Sequence, residues 1–185
     1  AVDTNLNGNP LVLPPRPIYV WLPPHYNEKQ KYATLYCHDG QNVMSDDMSW
    51  SGHSWRLTGA LTRIQNEGLL RVPTIVVLLP SSQDHLVPGL VRRRHLEYAA
   101  DSGVFCDAHY KFVAETVKPY LDNHFATDPN ECYTIGTSMG GQASFQLLLR
   151  YPHLFAGAAC LSPYFEPSTI TSALQNAETL RTKRL

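Results

Sequence analysis

A serine flanked by glycines constrains this chain more than any other feature: residues 136–141 read Gly-Thr-Ser-Met-Gly-Gly. The run before it, Cys132–Ile135, is β-branched and aromatic, which is typical of a strand. The run after it, Gln142–Leu149, is rich in helix formers and stops just before Pro152. A G-x-S-x-G sequence between a strand and a helix predicts a nucleophile elbow, a sharp turn that exposes the hydroxyl of Ser138.

Ser138 also has a purely structural interpretation, in which it only caps the helix that follows. Capping requires neither Gly140 nor the flanking glycines, so we favour the nucleophile elbow. In that arrangement the N-terminus of the helix offers free N–H groups and a positive potential to a developing oxyanion.

Strand-like and helix-like runs alternate along the chain. The predicted strands are Pro17–Leu22, Lys31–Cys37, Val72–Leu79, Cys132–Ile135 and Phe155–Leu161, and the predicted helices are Trp55–Leu70, Cys106–Phe125 and Gln142–Leu149. This alternation predicts an α/β fold: a doubly wound, mostly parallel sheet with helices on both faces. Ligands bind at the carboxyl ends of such strands, so the tips after Cys37, Leu79, Ile135 and Leu161 should surround the site. Ser81–Gly103 reads as a long connection with little periodicity.

Composition narrows the class of protein. A chain of 185 residues with 43% apolar and 17% charged residues predicts one globular domain over residues 1–185. The net charge of −1 argues against nucleic acid as a partner, and the longest apolar run, Ile75–Leu79, is too short to span a membrane. With no leader, no sequon and no cysteine pattern, we expect a soluble protein, intracellular or organellar. No metal-ligand spacing occurs, so neither a metal nor a cofactor is expected.

Several motifs together resemble a known family. In chain order they are Asp39-Gly40-Gln41-Asn42 after a strand, Trp55 near a helix start, Arg94-x-x-Glu97-Tyr98, the glycine-flanked Ser138 and Leu161-Ser162-Pro163. From about Pro17 to Leu185 the chain resembles the Putative esterase family of the α/β-hydrolases. That family includes esterase D, enterochelin, feruloyl and acetyl-xylan esterases and the mycolyltransferases. The resemblance implies that Ser138 is the nucleophile and that the backbone N–H groups of Met139 and Gln41 form the oxyanion hole.

The same resemblance implies a set of substrate-pocket positions: Asp39, Gly40, Trp55, Arg94, Glu97, Tyr98 and Ser162. Arg94 has two interpretations, because it could bind an anionic substrate group or pair with Glu97. Trp50, Trp55 and Tyr98 could form an aromatic wall, although core packing is the commoner fate of such residues. One of the histidines at positions 25, 53, 85, 95 and 109 could line the pocket, whereas the adjacent His38 and Asp39 are expected to be structural.

The chain departs from the family in its triad. In α/β-hydrolases the order is Ser, acid, His, and the only histidine after Ser138 is His153. A helix of about twelve residues would place it roughly 18 Å away, too far to act as the base. Glu166 could at most line the site. We therefore expect the acid and the histidine beyond residue 185, in C-terminal strands that residues 1–185 lack. Alternatively, the short chain is genuine and catalytically silent.

The sequence thus predicts a serine esterase that cleaves a small-molecule or carbohydrate ester through an acyl-enzyme on Ser138. Acyl transfer to a sugar rather than to water remains open. The alternative from another class is a silent hydrolase-fold subunit that serves as a scaffold or binding module in a larger assembly.

Overall fold

The computed structural model describes residues 13–87 and 91–185, which form an α/β fold around one mostly parallel sheet. The sheet order is β1-β3-β2-β6-β7, with β1 antiparallel to β3 and every other pair parallel. The strands are β1 (Tyr19–Trp21), β2 (Tyr32–His38), β3 (Thr74–Leu79), β6 (Thr127–Thr137) and β7 (Gly157–Leu161), and β4 (His85–Val87) pairs separately with β5 (Val91–Arg92). The predicted α/β fold and its strands are confirmed.

Helices connect the strands. They are α1 (Leu57–Asn66), α2 (Arg93–Tyr98), α3 (Val104–Phe112), α4 (Lys118–His124), α5 (Met139–Arg150), α6 (Pro167–Gln175) and α7 (Ala177–Leu180). In the part of the chain that the structure describes, no helix combines the length and the apolar character needed to cross a membrane.

Strand β3 shows how the sheet divides the core. All six of its residues are buried, because both faces of the sheet are covered. Ile75, Val77 and Leu79 join the larger apolar cluster, whereas Val76 and Leu78 join a smaller one with Leu61 of α1. Successive strand residues point to opposite faces, so this continuous apolar run supplies two cores at once.

The long predicted helix from Cys106 to Phe125 exists but is not uniform. A π-helical turn, Val113–Val117, joins α3 to α4. Pro119 follows it and has no N–H to donate to the preceding turn, which accounts for a widened turn at this place. Tyr120 of α4 is 58% exposed. Its neighbour Leu121 is buried instead, because successive residues of a helix point in different directions.

Two other predictions need correction. The first helix begins at Leu57 rather than Trp55, because Arg56 has a left-handed backbone (φ 51°), and it ends before Gly68 (φ 69°). The connection 81–103 is not structureless: it contains β4, β5 and α2. Short elements of two to six residues carry too little periodicity to be recognised in a sequence.

Strand register brings the carboxyl ends of the parallel strands to one edge. His38 pairs with Leu79, and Thr137 pairs with Leu161. The residues that follow these four positions therefore emerge on the same side of the sheet. This edge is where the candidate site lies.

Candidate active site

Ser138 occupies the turn between β6 and α5 with a strained backbone, φ 53° and ψ −121°. Its N–H donates to the carbonyl of Leu161 at 3.0 Å, and its own carbonyl accepts from Gly141 at 3.0 Å and from Tyr164 at 3.3 Å. Three neighbouring segments therefore hold this conformation. The residue itself is exposed, so its hydroxyl faces the solvent-accessible edge of the sheet.

Close backbone contacts explain the glycines around Ser138. A Cβ on Gly136 would lie 2.1 Å from the carbonyl oxygen of Gly140, and a Cβ on Gly140 would lie 2.8 Å from Oδ2 of Asp39. A residue with a side chain at either position would push α5 away from β6 or from the loop after β2. The glycines thus let the helix N-terminus approach the Asp39 loop.

The loop after β2 is held by α2. Asp39 has a left-handed backbone (φ 55°), and its N–H donates to the hydroxyl of Tyr98 at 3.0 Å. Its two carboxylate oxygens accept hydrogen bonds from Nε and Nη2 of Arg94 at 2.7 and 2.6 Å. Gly40 follows, and a Cβ there would lie 2.5 Å from the backbone nitrogen of Leu79. Both the backbone and the side chain of Asp39 are therefore fixed by one short helix.

Gln41 links this loop to the end of β3. Its Nε2 donates to Oγ of Ser81 at 2.9 Å, and its Oε1 accepts from the N–H of Ser81 at 3.0 Å. Gln41 lies in a single 3-10 turn, Gly40–Asn42, and Met139 is the first residue of α5. The N–H groups in the first turn of a helix have no intrahelical partner, so both residues can offer an N–H to a ligand.

A cavity of about 380 Å³ brings five of the predicted site residues together: Asp39, Gln41, Arg94, Ser138 and Met139. Sequence reasoning did not select five further lining residues: Asn42, Ser81, Gln83, Arg92 and Thr137. Trp50 and His95, which were weighed as possible lining residues, also face this cavity. Ser81 lies two residues after the end of the buried strand β3, and this position was the signal that could have placed it at the site.

Five other predicted positions do not line this cavity. Gly40 and Tyr98 are buried behind the loop, and Trp55 packs against the smaller apolar cluster. Glu97 is fully buried and accepts from both Nη atoms of Arg16 at 2.6 Å, while Ser162 is exposed outside the cavity. Arg94 pairs with Asp39 rather than with Glu97.

Charge at the site is mostly positive. Burial would lower the pKa of Arg94, but the hydrogen bonds and charge of Asp39 outweigh it and raise that pKa above its usual value. His95 is exposed, and partial desolvation, followed by the charges of Arg94 and Arg92, lowers its pKa below the usual value. Among the described residues, His95 forms no hydrogen bond to a carboxylate, and no group of three His, Cys, Asp or Glu side chains is placed to hold a metal ion.

Two buried histidines lie beneath the Asp39 loop. His38 contacts Oγ of Ser144 through Nδ1 at 2.9 Å, and its ring centroid lies 5.3 Å from that of His109. Burial lowers the pKa of His38 to about 4, with Asp39 opposing and Arg94 reinforcing the effect. Burial, and then His38, lower the pKa of His109 well below its usual value. Both imidazoles are neutral in the folded protein at pH 7.

These histidines predict that acid destabilises the fold. Between about pH 6.5 and 4 the unfolded chain binds protons that the folded chain excludes, so the free energy of unfolding should fall by about 3 kcal/mol for His38 alone. Urea unfolding at a series of pH values measures this slope. His109→Phe should flatten it, whereas the exposed His153→Phe should leave it unchanged. Equal slopes in the two variants would contradict the prediction.

Comparison with known proteins identifies the family to which this chain belongs. A family model described as Putative esterase matches residues 14–181. The chain belongs to this family. The predicted resemblance is thereby confirmed. A search among curated proteins finds no match.

Solved structures that include esterases and a siderophore hydrolase resemble this member of the Putative esterase family in fold. The BES protein from Bacillus cereus has a TM-score of 0.67 at 16% identity, over 91% of this chain and 64% of that one. The siderophore hydrolase EstA from Aspergillus nidulans has a TM-score of 0.61 at 16% identity, over 90% and 61% of the two chains. A ferulic acid esterase from Anaeromyces mucronatus has a TM-score of 0.55 at 20% identity, over 79% and 52%. The chain therefore spans less than two thirds of each of these structures.

Proposed function

We propose that this protein is a serine esterase that hydrolyses a carboxylic ester of a small molecule or carbohydrate through an acyl-enzyme on Ser138. The observation that carries the proposal is the strained, exposed Ser138 at the junction of β6 and α5, in the same cavity as Gln41 and Met139. Membership of the Putative esterase family supports ester cleavage as the reaction class.

In the proposed mechanism Ser138 sits on a nucleophile elbow and its Oγ attacks the ester carbonyl carbon. The oxyanion that forms accepts hydrogen bonds from the backbone N–H groups of Met139 and Gln41. A general base takes the Oγ proton and returns it to the leaving alcohol; the same base then takes a proton from water, which attacks the acyl-enzyme and releases the acid. The glycine contacts and the Gln41–Ser81 hydrogen bonds support the proposal, because they fix both N–H groups before substrate arrives.

Ser138 needs a base, and the base needs an orienting acid. We propose that both come from beyond residue 185, in the family order of Ser, acid and His. Two observations support this assignment. His153 lies after the far end of α5, and the neighbours of His95 are arginines rather than a carboxylate that could orient it.

A fluorophosphonate probe tests this function directly. The native protein, purified from its source, should gain one adduct, and peptide mapping should place it on Ser138. Such probes require an activated serine, so labelling depends on the complete site. A native protein that gains no adduct and copurifies with stoichiometric partners would instead be a silent scaffold or binding subunit. Labelling elsewhere with Ser138 unmodified would contradict the proposed nucleophile.

A further inference from the structure

The wall of the cavity carries an excess of positive charge from one segment, residues 92–95, with sequence Arg-Arg-Arg-His. Three of these four side chains, Arg92, Arg94 and His95, line the cavity together with Ser138. Among its described lining residues, Asp39 is the one acidic group. The segment is therefore the main source of charge that a bound substrate would meet.

Arg94 and Asp39 neutralise each other. Arg94 donates from Nε and Nη2 to the two carboxylate oxygens of Asp39, whose side chain is only 3% exposed. In this bidentate pair both carboxylate oxygens of Asp39 are engaged by Arg94. Arg94 and Asp39 therefore stabilise the loop and leave no negative charge to compensate the remaining cation.

Arg92 is that remaining cation. It is exposed and, within residues 13–87 and 91–185, forms no ion pair or hydrogen bond through its side chain. It lies at the junction of β5 and α2, so the backbone that carries it belongs to a paired strand and a helix. Its guanidinium can present a planar pair of N–H donors to the cavity without first breaking an internal contact.

Two further observations agree with an anion site. Desolvation and then the charges of Arg94 and Arg92 lower the pKa of His95, so the imidazole beside Arg92 tends to lose its own positive charge and the arginines supply the positive charge of this wall. The other lining groups near Ser138 are neutral: the amides of Gln41 and Asn42 and the hydroxyl of Ser81. None of these neutral groups would repel a carboxylate.

We propose that Arg92 makes this cavity select esters that carry a carboxylate group. The proposal rests on the esterase function proposed above and names the substrate class for that site. The ester carbonyl lies at Ser138 and the carboxylate pairs with the guanidinium of Arg92, so the two ends of the substrate are recognised by different elements. A cavity of about 380 Å³ accommodates a compact ester of this kind.

A matched pair of substrates tests the selection. They are 4-nitrophenyl hydrogen adipate, which carries a carboxylate, and its neutral primary-amide analogue, which has nearly the same shape. The native protein should favour the anionic ester in kcat/KM by about tenfold, the effect of one charge-assisted hydrogen bond at a partly exposed site. Arg92→Gln should bring this ratio close to one, and Arg92→Lys should restore part of it. Arg63→Gln, on the exposed side of α1, is the matched control and should keep the native ratio.

Ionic strength separates a charge effect from a structural one. Added salt should lower the ratio in the native protein and leave it unchanged in Arg92→Gln, because salt screens exposed charges over about 10 Å at 0.1 M. A ratio near one in the native protein, or one that Arg92→Gln leaves intact, overturns the proposal.

Binding without turnover separates this proposal from the proposed function. Calorimetry with the monoamide of adipic acid, which retains one carboxylate, needs no chemistry and uses the Ser138→Ala protein. Binding should weaken about tenfold when Arg92→Gln is added. If the native protein cleaves neither ester, the esterase proposal fails, and the calorimetric comparison alone tests the anion site. Weaker binding after Arg92→Gln supports the site. Equal or undetectable binding overturns it.

Discussion

Replacing Ser138 with alanine is expected to lower kcat/KM for a short activated ester by a factor of about 10⁴ or more. The substitution removes the proposed nucleophilic oxygen, while the N–H groups of Met139 and Gln41 remain. Residual activity should therefore be limited to what oxyanion binding and substrate positioning supply to attack by water. Among the described lining residues, Ser138 is the one hydroxyl on a strained strand-to-helix turn, because Thr137 is the last residue of β6 and Ser81 follows β3 and is hydrogen bonded to Gln41.

The fold should survive this substitution. Among the described residues the Oγ of Ser138 makes no hydrogen bond, and alanine has the same backbone cost at φ 53° as serine. Thermal unfolding should therefore match that of the native protein. Ser172→Ala, on helix α6, is the matched control and should retain full turnover. Full turnover in Ser138→Ala would eliminate this serine as the nucleophile.

The sequence predicts the architecture of the site better than its side-chain contacts. The alternation of strand-like and helix-like runs and the continuous apolar run at Thr74–Leu79 are local signals, so the parallel sheet and its carboxyl edge could be inferred from them. The turn at Ser138 was also predictable, because only glycine allows the contact between positions 136 and 140. Loops that follow parallel strands must meet at one edge, which brings Asp39 and Gln41 near Ser138 without further information.

Ion pairing was not predictable in the same way. Arg94 and Glu97 are three residues apart on one helix, a spacing at which oppositely charged side chains commonly pair. In the structure each has a stronger, bidentate partner from a distant segment, Asp39 and Arg16 respectively. Competition between a local and a distant partner depends on the fold, so spacing alone cannot decide it.

Within residues 92–95 the sequence indicated Arg94 and His95 as possible pocket residues but did not indicate Arg92, which also lines the cavity. The total charge of such a short basic segment does not distinguish its members. The direction in which each side chain points decides which of these residues face the cavity. The short helix α2 turns Arg94 and His95 toward the cavity and leaves Arg93 fully buried, so neighbouring cations have separate environments. A cluster of like charges can therefore contain both structural and ligand-facing side chains.

Gly136→Ala is expected to destabilise the fold by about 3 kcal/mol or more. Its Cβ would lie 2.1 Å from the carbonyl oxygen and 2.2 Å from the carbonyl carbon of Gly140, and both atoms belong to the backbone of α5. No rotamer change can relieve a clash with backbone, so the helix must move relative to β6. That movement shifts Met139 and Ser138 together, so fluorophosphonate labelling at Ser138 should also be lost.

Gly59→Ala is the matched control, since it is the same substitution in a helix where a Cβ would meet nothing within 4 Å. There the lower backbone entropy of the unfolded chain should stabilise the protein by about 0.5–1 kcal/mol. Urea unfolding measures the change in the free energy of unfolding, which should fall in Gly136→Ala and rise in Gly59→Ala. A Gly136→Ala protein as stable as the native one would mean that α5 can withdraw from β6 at no cost. The strained turn at Ser138 would then not depend on this close approach, and the structural argument for a preorganised nucleophile would fail with it.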